Sequence, residues 1–565
     1  MQNEANIVFS SDIPTEVWVM IGQFSSKPSL YSLVRVSRGF RTIFSPILYE
    51  NHTIEVLGRE ISNVVPSFVP FIKNLEVIID IRPEILPTFK QTSLDCVLLI
   101  VQYLNNTKEL QSFRLVNNSR LSILERGADI ENDNITCGAL ILENATLLRR
   151  LKDIRSLKKV HFRSAALAIL EAAQAPHMCL FKISGFVNLT SLELYALHDE
   201  KYSTIRDLIE ILRASPALQI LGLGLTGEWI PDTQSFRHKE GTRDFLTELC
   251  RLYKEEPETS PLYLRELKLG CGMVPWFSLS QNDTQCLSSL VNGESLQELQ
   301  LFNAGNEATF YEDINLDYLS INNCPKLRKL WVNRISNELV TWLMTKSNSV
   351  TELIMTDYQQ PKWRFEETTE EPIISIRLPE TISLLYLRED ADVADYNQFL
   401  HNVCEHWEVS RPFTSIASHH MAVGSHYLTD LSASIDFEIQ WDEFRCQIPN
   451  VPSLTRLSLQ SRRTRSRAWP SAQASRWPYV RRPRDIAHRY AHILAEESNS
   501  LRYIEIGEWA WRIKRRPLLL EELDDDEKEG IYLFNLPKLI SESALGGRRN
   551  NFDFESHSVS VLWNR

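Results

Sequence analysis

From about residue 74 onward, apolar positions recur in short runs of the form L-x-x-L-x-L, each bounded by polar or turn-forming residues. In order these are NLEVIIDI (from 74), ELQSFRL (109), SLKKVHF (156), NLTSLEL (188), ALQILGL (217), YLRELKL (263), SLQELQL (295), KLRKLWV (326), SVTELIM (349), SLTRLSL (453) and SLRYIEI (500). Apolar and polar residues alternating along a short run predict a half-buried strand. Between the runs, apolar positions return every three or four residues in DCVLLIVQYLNN (95), STIRDLIEILRAS (203), TRDFLTELCRLYKEE (242), NELVTWLMTK (337), NQFLHNVCEHWE (397) and RDIAHRYAHILAEE (484). That spacing predicts helices.

The repeating unit is therefore one helix and one strand. A strand with all its leucines on one face cannot bury that face alone, so neighbouring units must stack. The expected fold class is an α/β repeat: an irregular leucine-rich-repeat-like solenoid, with a curved parallel sheet and outer helices. The strands begin about 23 to 47 residues apart, longer and less even than the ~20–29 residues of a regular leucine-rich repeat, so inserted loops are expected. Between 357 and 452 the pattern weakens, leaving TISLLYLRE (381) and LSASIDFEIQ (431) as candidate strands.

An open doubly wound sheet is the competing reading, and GLGLTG (222–227) does match GxGxxG. A dinucleotide site needs those glycines to end a strand and open a helix. Here Leu221, Leu223 and Leu225 keep the strand spacing through Gly222 and Gly224, and the next helical pattern starts near 242. No cofactor is assigned.

Ahead of the repeats, DIPTEVWVMIGQFSSKPSLYSLVRVSRGFRTIFSPILYE (12–50) follows helical spacing. Pro14 and Glu16 suit a helix start, and Val17, Met20, Ile21 and Phe24 follow i, i+3, i+4, i+7. SSKP breaks the chain, Leu30, Leu33, Val34 and Val36 mark a second helix, and SRGFRTIF marks a third that Pro46 is expected to stop. Three helices this short hold more apolar side chains than they can enclose, so a further surface must cover the surplus.

The same residues resemble an F-box: Ile13-Pro14-Thr15-Glu16-Val17, Ile21, Leu30, Leu33, Val36-Ser37-Arg38-Gly39-Phe40-Arg41 and Pro46-Ile47-Leu48-Tyr49. Ile13 stands where leucine is usual, Ser29 where an acidic residue often precedes the leucine, and Gly22 sits inside the first helix at about 1 kcal/mol relative to alanine. An F-box followed by leucine-rich-like repeats is similar to a large family especially common in fungi. The resemblance implies docking on the Skp-type adaptor of a cullin-based SCF ubiquitin ligase, through Ile13, Pro14, Val17, Ile21, Leu30, Leu33 and Val36. It implies that the array holds a protein substrate and that ubiquitin chemistry belongs to other subunits. The expected division is a tail (1–10), an F-box (11–55), the array (56–545) and a C-terminal segment (546–565).

Composition narrows the function classes. Of 565 residues, 43% are hydrophobic and 24% charged, as in a folded chain, and the net charge of -12 disfavours nucleic acid as a partner of the whole molecule. There is no apolar run of 18 residues and no secretory pattern at MQNEANIVFS, which reads as an intracellular chain, cytoplasmic or nuclear, with no membrane partner. The nine cysteines form no CxxC pair, so neither a zinc site nor a disulfide framework is suggested. GxSxG, HExxH and GxxxxGK[ST] are absent. His419, His420 and His426 lack the spacing of a metal-binding helix. No catalytic residue and no metal are assigned.

Candidate target contacts follow from the strand pattern. The central x of each L-x-L points away from the apolar face, giving Arg114, His161, Glu193, Gly222, Lys268, Gln300, Trp331, Ile354, Ser458 and Glu505. Arg114, Lys268 and Trp331 are the candidate contacts, with Trp331 the aromatic anchor. The row mixes charges and does not read as a phosphate-only surface. SRRTRSRAWPSAQASRWPYVRRPR (461–484) has arginines between aromatics and no acid, whereas EELDDDEKE (521–529) is acidic; both read as inserted loops, and the acidic run could pair with the basic one or with RIKRRP (512–517). Two other functions remain open: a repeat scaffold that never meets a cullin, and a binder of nucleic acid or an acidic partner through 461–484.

Overall fold

The computed structural model describes residues 13–56, 66–79, 89–117, 145–164, 183–197, 201–225, 228–230, 235–237, 245–257, 259–269, 273, 286–301, 324–332, 349–357, 383–389, 428–435, 437, 441–461, 483–506, 509–517 and 529–535. The chain divides into two compact units, residues 1–167 with 171–218 and residues 168–170 with 219–565.

The first unit opens with three helices, α1 (Thr15–Phe24), α2 (Lys27–Val36) and α3 (Arg38–Leu48). Their boundaries follow from capping chemistry. Pro14 precedes α1, and Ser26 and Ser37 accept the Ser29 and Phe40 amide protons at the starts of α2 and α3, at 3.3 and 3.2 Å; each such cap is worth about 1 kcal/mol. Pro46 does not stop α3, which runs two residues further, to Leu48. A proline in the last turn removes one backbone bond where few remain to lose.

The helices have a small core of their own. Leu30, Val34, Phe44 and Leu48 are buried together, with Trp18, Leu33, Phe40, Ile43, Ile47 and Tyr49 packed against them. Trp18 stands edge-on to Phe40 with centroids 5.0 Å apart. Gly22 explains its own presence: a Cβ there would lie 2.6 Å from Ile47 Cδ1 and 2.9 Å from Phe44 Cδ1. The residue that weakens α1 as an isolated helix is what lets it approach α3.

Strand β1 (Asn51–Val56) follows at once and pairs in parallel with β2 (Asn74–Ile79). The sheet therefore starts at residue 51, inside the stretch expected to belong to the helical segment (11–55), and the boundary falls near Tyr49. Next come α4 (Phe89–Asn106), β3 (Ser112–Asn117), α5 (Ala145–Asp153), β4 (Lys159–Ser164), β5 (Ser191–Leu197) and α6 (Lys201–Arg213). Strands β1 to β5 are parallel and adjacent in chain order. One face is fully apolar: Leu75, Val77, Phe113, Leu115, Val160, Phe162, Leu192 and Leu194 are all buried. The leading apolar residue of each repeat, Ile72, Leu110, Leu157 and Leu189, is buried just before its strand.

The second unit repeats this plan. Its strands are β6 (Ile220–Leu225), β7 (Glu228–Ile230), β8 (Ser235–Arg237), β9 (Glu266–Leu269), β10 (Glu298–Leu301), β11 (Lys329–Val332), β12 (Glu352–Asp357), β13 (Leu384–Glu389), β14 (Asp430–Ile435), β15 (Arg456–Ser461), β16 (Tyr503–Ile506), β17 (Trp509–Pro517) and β18 (Glu529–Asn535). Its helices are α7 (Phe245–Glu255), α8 (Cys286–Leu290), α9 (Trp441–Gln447) and α10 (Pro483–Glu497). From β6 through β9 to β16 the strands run parallel, with the β7–β8 hairpin set apart. The eleven expected strands all form, as do both candidates in the weak stretch, β13 and β14, and β6 runs straight through Gly222 and Gly224. The antiparallel close of the sheet by β17 and β18 was not signalled by the repeat. The helices expected at 337 and 397, His419, His420, His426, the tail 1–10, most of the loop 461–484, residues 521–528 and the segment 546–565 lie outside the described residues.

One device recurs in both units. The residue two before the first buried strand position donates its amide proton to the carbonyl of its counterpart one repeat earlier. In the first unit this joins Lys73 to Glu50, Gln111 to Lys73, Lys158 to Gln111 and Thr190 to Lys158, at 2.7–2.9 Å. In the second it joins Arg265 to Gln219, then Gln297, Arg328, Thr351, Ser383, Thr429, Thr455 and Arg502 in succession, at 2.7–2.9 Å. Where that residue is Ser or Thr its hydroxyl donates to the same carbonyl, as at Thr351, Ser383, Thr429 and Thr455, 3.1–3.4 Å. Each repeat thus starts its strand in fixed register with the last, however long the intervening loop.

Candidate partner-binding faces

Two faces bear the residues singled out from sequence. The first is α1. Ile13, Val17, Met20, Ile21 and Phe24 form one stripe at helical spacing, and all are exposed, Phe24 at 87%. The opposite side of the helix carries Trp18 and Gly22, and that is the side packed on α3. The i, i+3, i+4, i+7 stripe visible in the sequence is therefore the outward face. Tyr31 and Val36 of α2 are exposed as well.

Of the seven expected adaptor contacts, Ile13, Pro14, Val17, Ile21 and Val36 are exposed and Leu33 is half-buried. Leu30 is corrected: at 4% exposure it belongs to the helical core beside Phe44, and its role is to hold the helices together. Met20, Phe24 and Tyr31 join the exposed set. For Met20 and Phe24 the sequence signal was the stripe itself, which cannot say which way it faces; Tyr31 lies outside it, on α2.

The second face is the polar side of the strands. In the first unit it forms a chain of contacts that cross strands in register as far as Glu193 and end within β5. Thr53 donates to Glu76 (3.1 Å), Arg114 meets Glu76 (3.0 Å), His161 lies 3.6 Å from Glu193, and Tyr195 donates to Glu193 (3.0 Å). Arg114, expected to meet a target, is engaged by its neighbour strand. In the second unit, Gly222, Lys268, Gln300, Trp331, Ile354, Ser458 and Glu505 do fall in one register row. The row is not open. Trp331 is 1% exposed and Ile354, Gln300 and Glu505 are buried, while Lys268 pairs with Glu266 at 3.6 Å. Trp331 is thus a buried residue rather than a surface anchor, and Lys268 is not an exposed cation.

The row beside it carries Glu266, Glu298, Lys329, Glu352, Asp430 and Arg456, and part of it is paired from within: Lys329 meets Glu298 at 3.1 Å and Arg456 meets Asp430 at 3.1 Å. Among the described residues no group of three or more His, Cys, Asp or Glu could hold a metal ion, and no helix is long and apolar enough to cross a membrane. Burial pushes the Cys324 thiol up to about 11, which leaves it protonated and unreactive at neutral pH.

These features define an α/β chain: parallel strands with helices between them, preceded by a helical segment with an unburied apolar stripe. No family model matches the chain, and no curated protein matches it significantly.

Proposed function

We propose that this protein is the substrate-recognition subunit of an SCF-type cullin ubiquitin ligase, with residues 13–48 acting as an F-box on a Skp-type adaptor. The repeats, read as a leucine-rich-repeat-like solenoid, hold a protein target. The observation that carries this reading is the α1 stripe. Five apolar side chains stay in water on a helix whose other side is firmly packed, and each one fully covered by a partner contributes roughly 1.5–3 kcal/mol. A helical segment that only capped the strands would turn this stripe toward its own chain. Catalysis in this scheme is by proximity, the receptor holding target lysines near a conjugating enzyme supplied by other subunits. The setting that follows is intracellular.

The test is capture of a purified Skp-type adaptor by the full chain. Val17→Asp with Ile21→Asp should abolish capture at about 1 μM while leaving the unfolding midpoint in place, because both positions are exposed. Leu30→Ala is unsuitable, since it would damage the helical core. If the unaltered chain captures no adaptor, the scaffold reading takes over.

A further inference from the structure

At the antiparallel end of the second unit, a cleft of about 460 Å³ is lined by Arg502, Tyr503, Arg512, Ile513, Lys514 and Arg515. Four of the six are cationic and none is acidic. Backbone pairing sets the arrangement. Tyr503 of β16 lies directly across from Arg512 of β17, and the Ile513 amide donates to the Arg502 carbonyl at 2.8 Å. Arg512 and Lys514 share one face of β17, two residues apart, and both are exposed, as is Arg502. Arg515 faces the other way. It donates to the carbonyls of Ala495 (2.9 Å) in the last turn of α10 and of Ser498 and Leu501 (2.8 Å) just after it, fixing the cleft wall to the helix end.

Elsewhere on this polar face, cations meet carboxylates: Arg456 meets Asp430, Lys329 and Arg328 meet Glu298, and Arg265 meets Glu266. Among the described residues that line the cleft there is no acid, and Glu505, two residues from Tyr503 on β16, is buried and accepts from the Ser458 hydroxyl at 3.2 Å. Guanidiniums present planar forks suited to phosphate oxygens, and a tyrosine hydroxyl adds another donor. The same register row carries Glu266, Glu298, Glu352 and Asp430 further along the sheet. Those carboxylates, three of them paired with neighbouring cations, interrupt the basic surface, and an extended polyanion needs a continuous basic track. A compact dianion meets no such opposition, and the volume lies within the ~300–1,000 Å³ of small-ligand sites.

We propose that this cleft binds a phosphate monoester dianion, with Arg502 and Arg512 as its principal ligands and Tyr503 as a further donor. The site stands whether or not the helical segment docks on an adaptor. Two sources share the chemistry, a phosphorylated side chain of a protein segment and a free phosphate.

The test is calorimetric titration of the full chain with N-acetyl-O-phosphoserine amide, inorganic phosphate and N-acetyl-aspartate amide. Phosphoserine amide should bind at least about tenfold more tightly than the aspartate compound, and Arg502→Gln with Arg512→Gln should weaken it by about tenfold or more. Binding should fall from about pH 7.5 to about pH 5.5 as the phosphate gains its second proton near pH 6. Tighter binding of phosphoserine amide than of inorganic phosphate assigns a phosphorylated segment, and equal binding assigns free phosphate. The chain's own residues 521–529 are the nearest long acidic run in sequence, and Glu508 lies between Arg502 and Arg512, so the titration is repeated with these carboxylates changed to amides. The proposal fails if neither protein binds phosphate, if the double arginine variant binds as well as the parent, or if a single-stranded oligonucleotide binds far more tightly than phosphoserine amide.

Discussion

Helix α1 and strand β3 are similar in hydrophobic content and opposite in fate. In β3, Phe113 and Leu115 are completely buried, held between β2 and β4 by a ladder on each side. In α1, Val17, Met20, Ile21 and Phe24 stay in water, and the helix is anchored instead by Trp18 and by the absence of a side chain at Gly22. Strands cannot satisfy their backbones alone, so each repeat brings its neighbour and the neighbours cover the apolar face. A helix satisfies its backbone internally and needs only one packed side. The surplus on the other side is free to serve a partner.

The comparison is broken most directly in the strands. Phe113→Ala leaves a cavity between Leu75 and Phe162 positions of the adjoining strands and should cost about 3–5 kcal/mol in chemical denaturation, whereas Ile21→Ser on α1 should stay within about 0.5 kcal/mol. Comparable losses for the two would show that the α1 stripe is covered after all. A smaller effect tests the helical side. Gly22→Ala gains about 1 kcal/mol in helix propensity but forces its Cβ against Ile47 and Phe44, and overpacking costs about 1–3 kcal/mol. Net destabilisation is expected, and a stabilised variant would mean that α1 and α3 are not in close contact.

The smallest effect is on pH dependence. Burial, helped by the charge of Lys27, holds His52 below the ordinary imidazole range, and burial with His492 does the same to His488. A lowered folded value means that the unfolded chain takes up protons first as pH falls. The stability these residues contribute is complete above about pH 6.5 and is lost progressively below it. The thermal midpoint should therefore drop between about pH 7 and about pH 5.5, and His52→Gln should flatten part of that slope. An unchanged slope in the variant would remove His52 from the account.

Much of the fold was legible because it repeats. A leucine spacing that returned at Leu264, Leu267 and Leu269, again at Leu296, Leu299 and Leu301, and again at Leu454, Leu457 and Leu459 marked each strand independently of the loops between, and all nine residues are buried. The start of β1 and the antiparallel β17 and β18 carried no such spacing and were missed. The faces were less legible. Alternation told which strand residues oppose the apolar side, and the register row confirms that geometry. It could not tell that Trp331 is closed to solvent or that Arg114 is engaged by Glu76.

By itself, the sequence determined the repeating strands, their parallel order, the three leading helices and the identity of the residues that repeat. Periodicity is local, and a period of two or of three to four residues is written into the chain before it folds. Only the tertiary structure decided which way each pattern faces: that the apolar stripe of α1 looks outward while Leu30 looks in, and that Arg502, just before β16, and basic residues of β17 converge on one cleft. Those outcomes depend on what lies opposite each side chain. For Gly22 that is the ring of Phe44, more than twenty residues away along the chain.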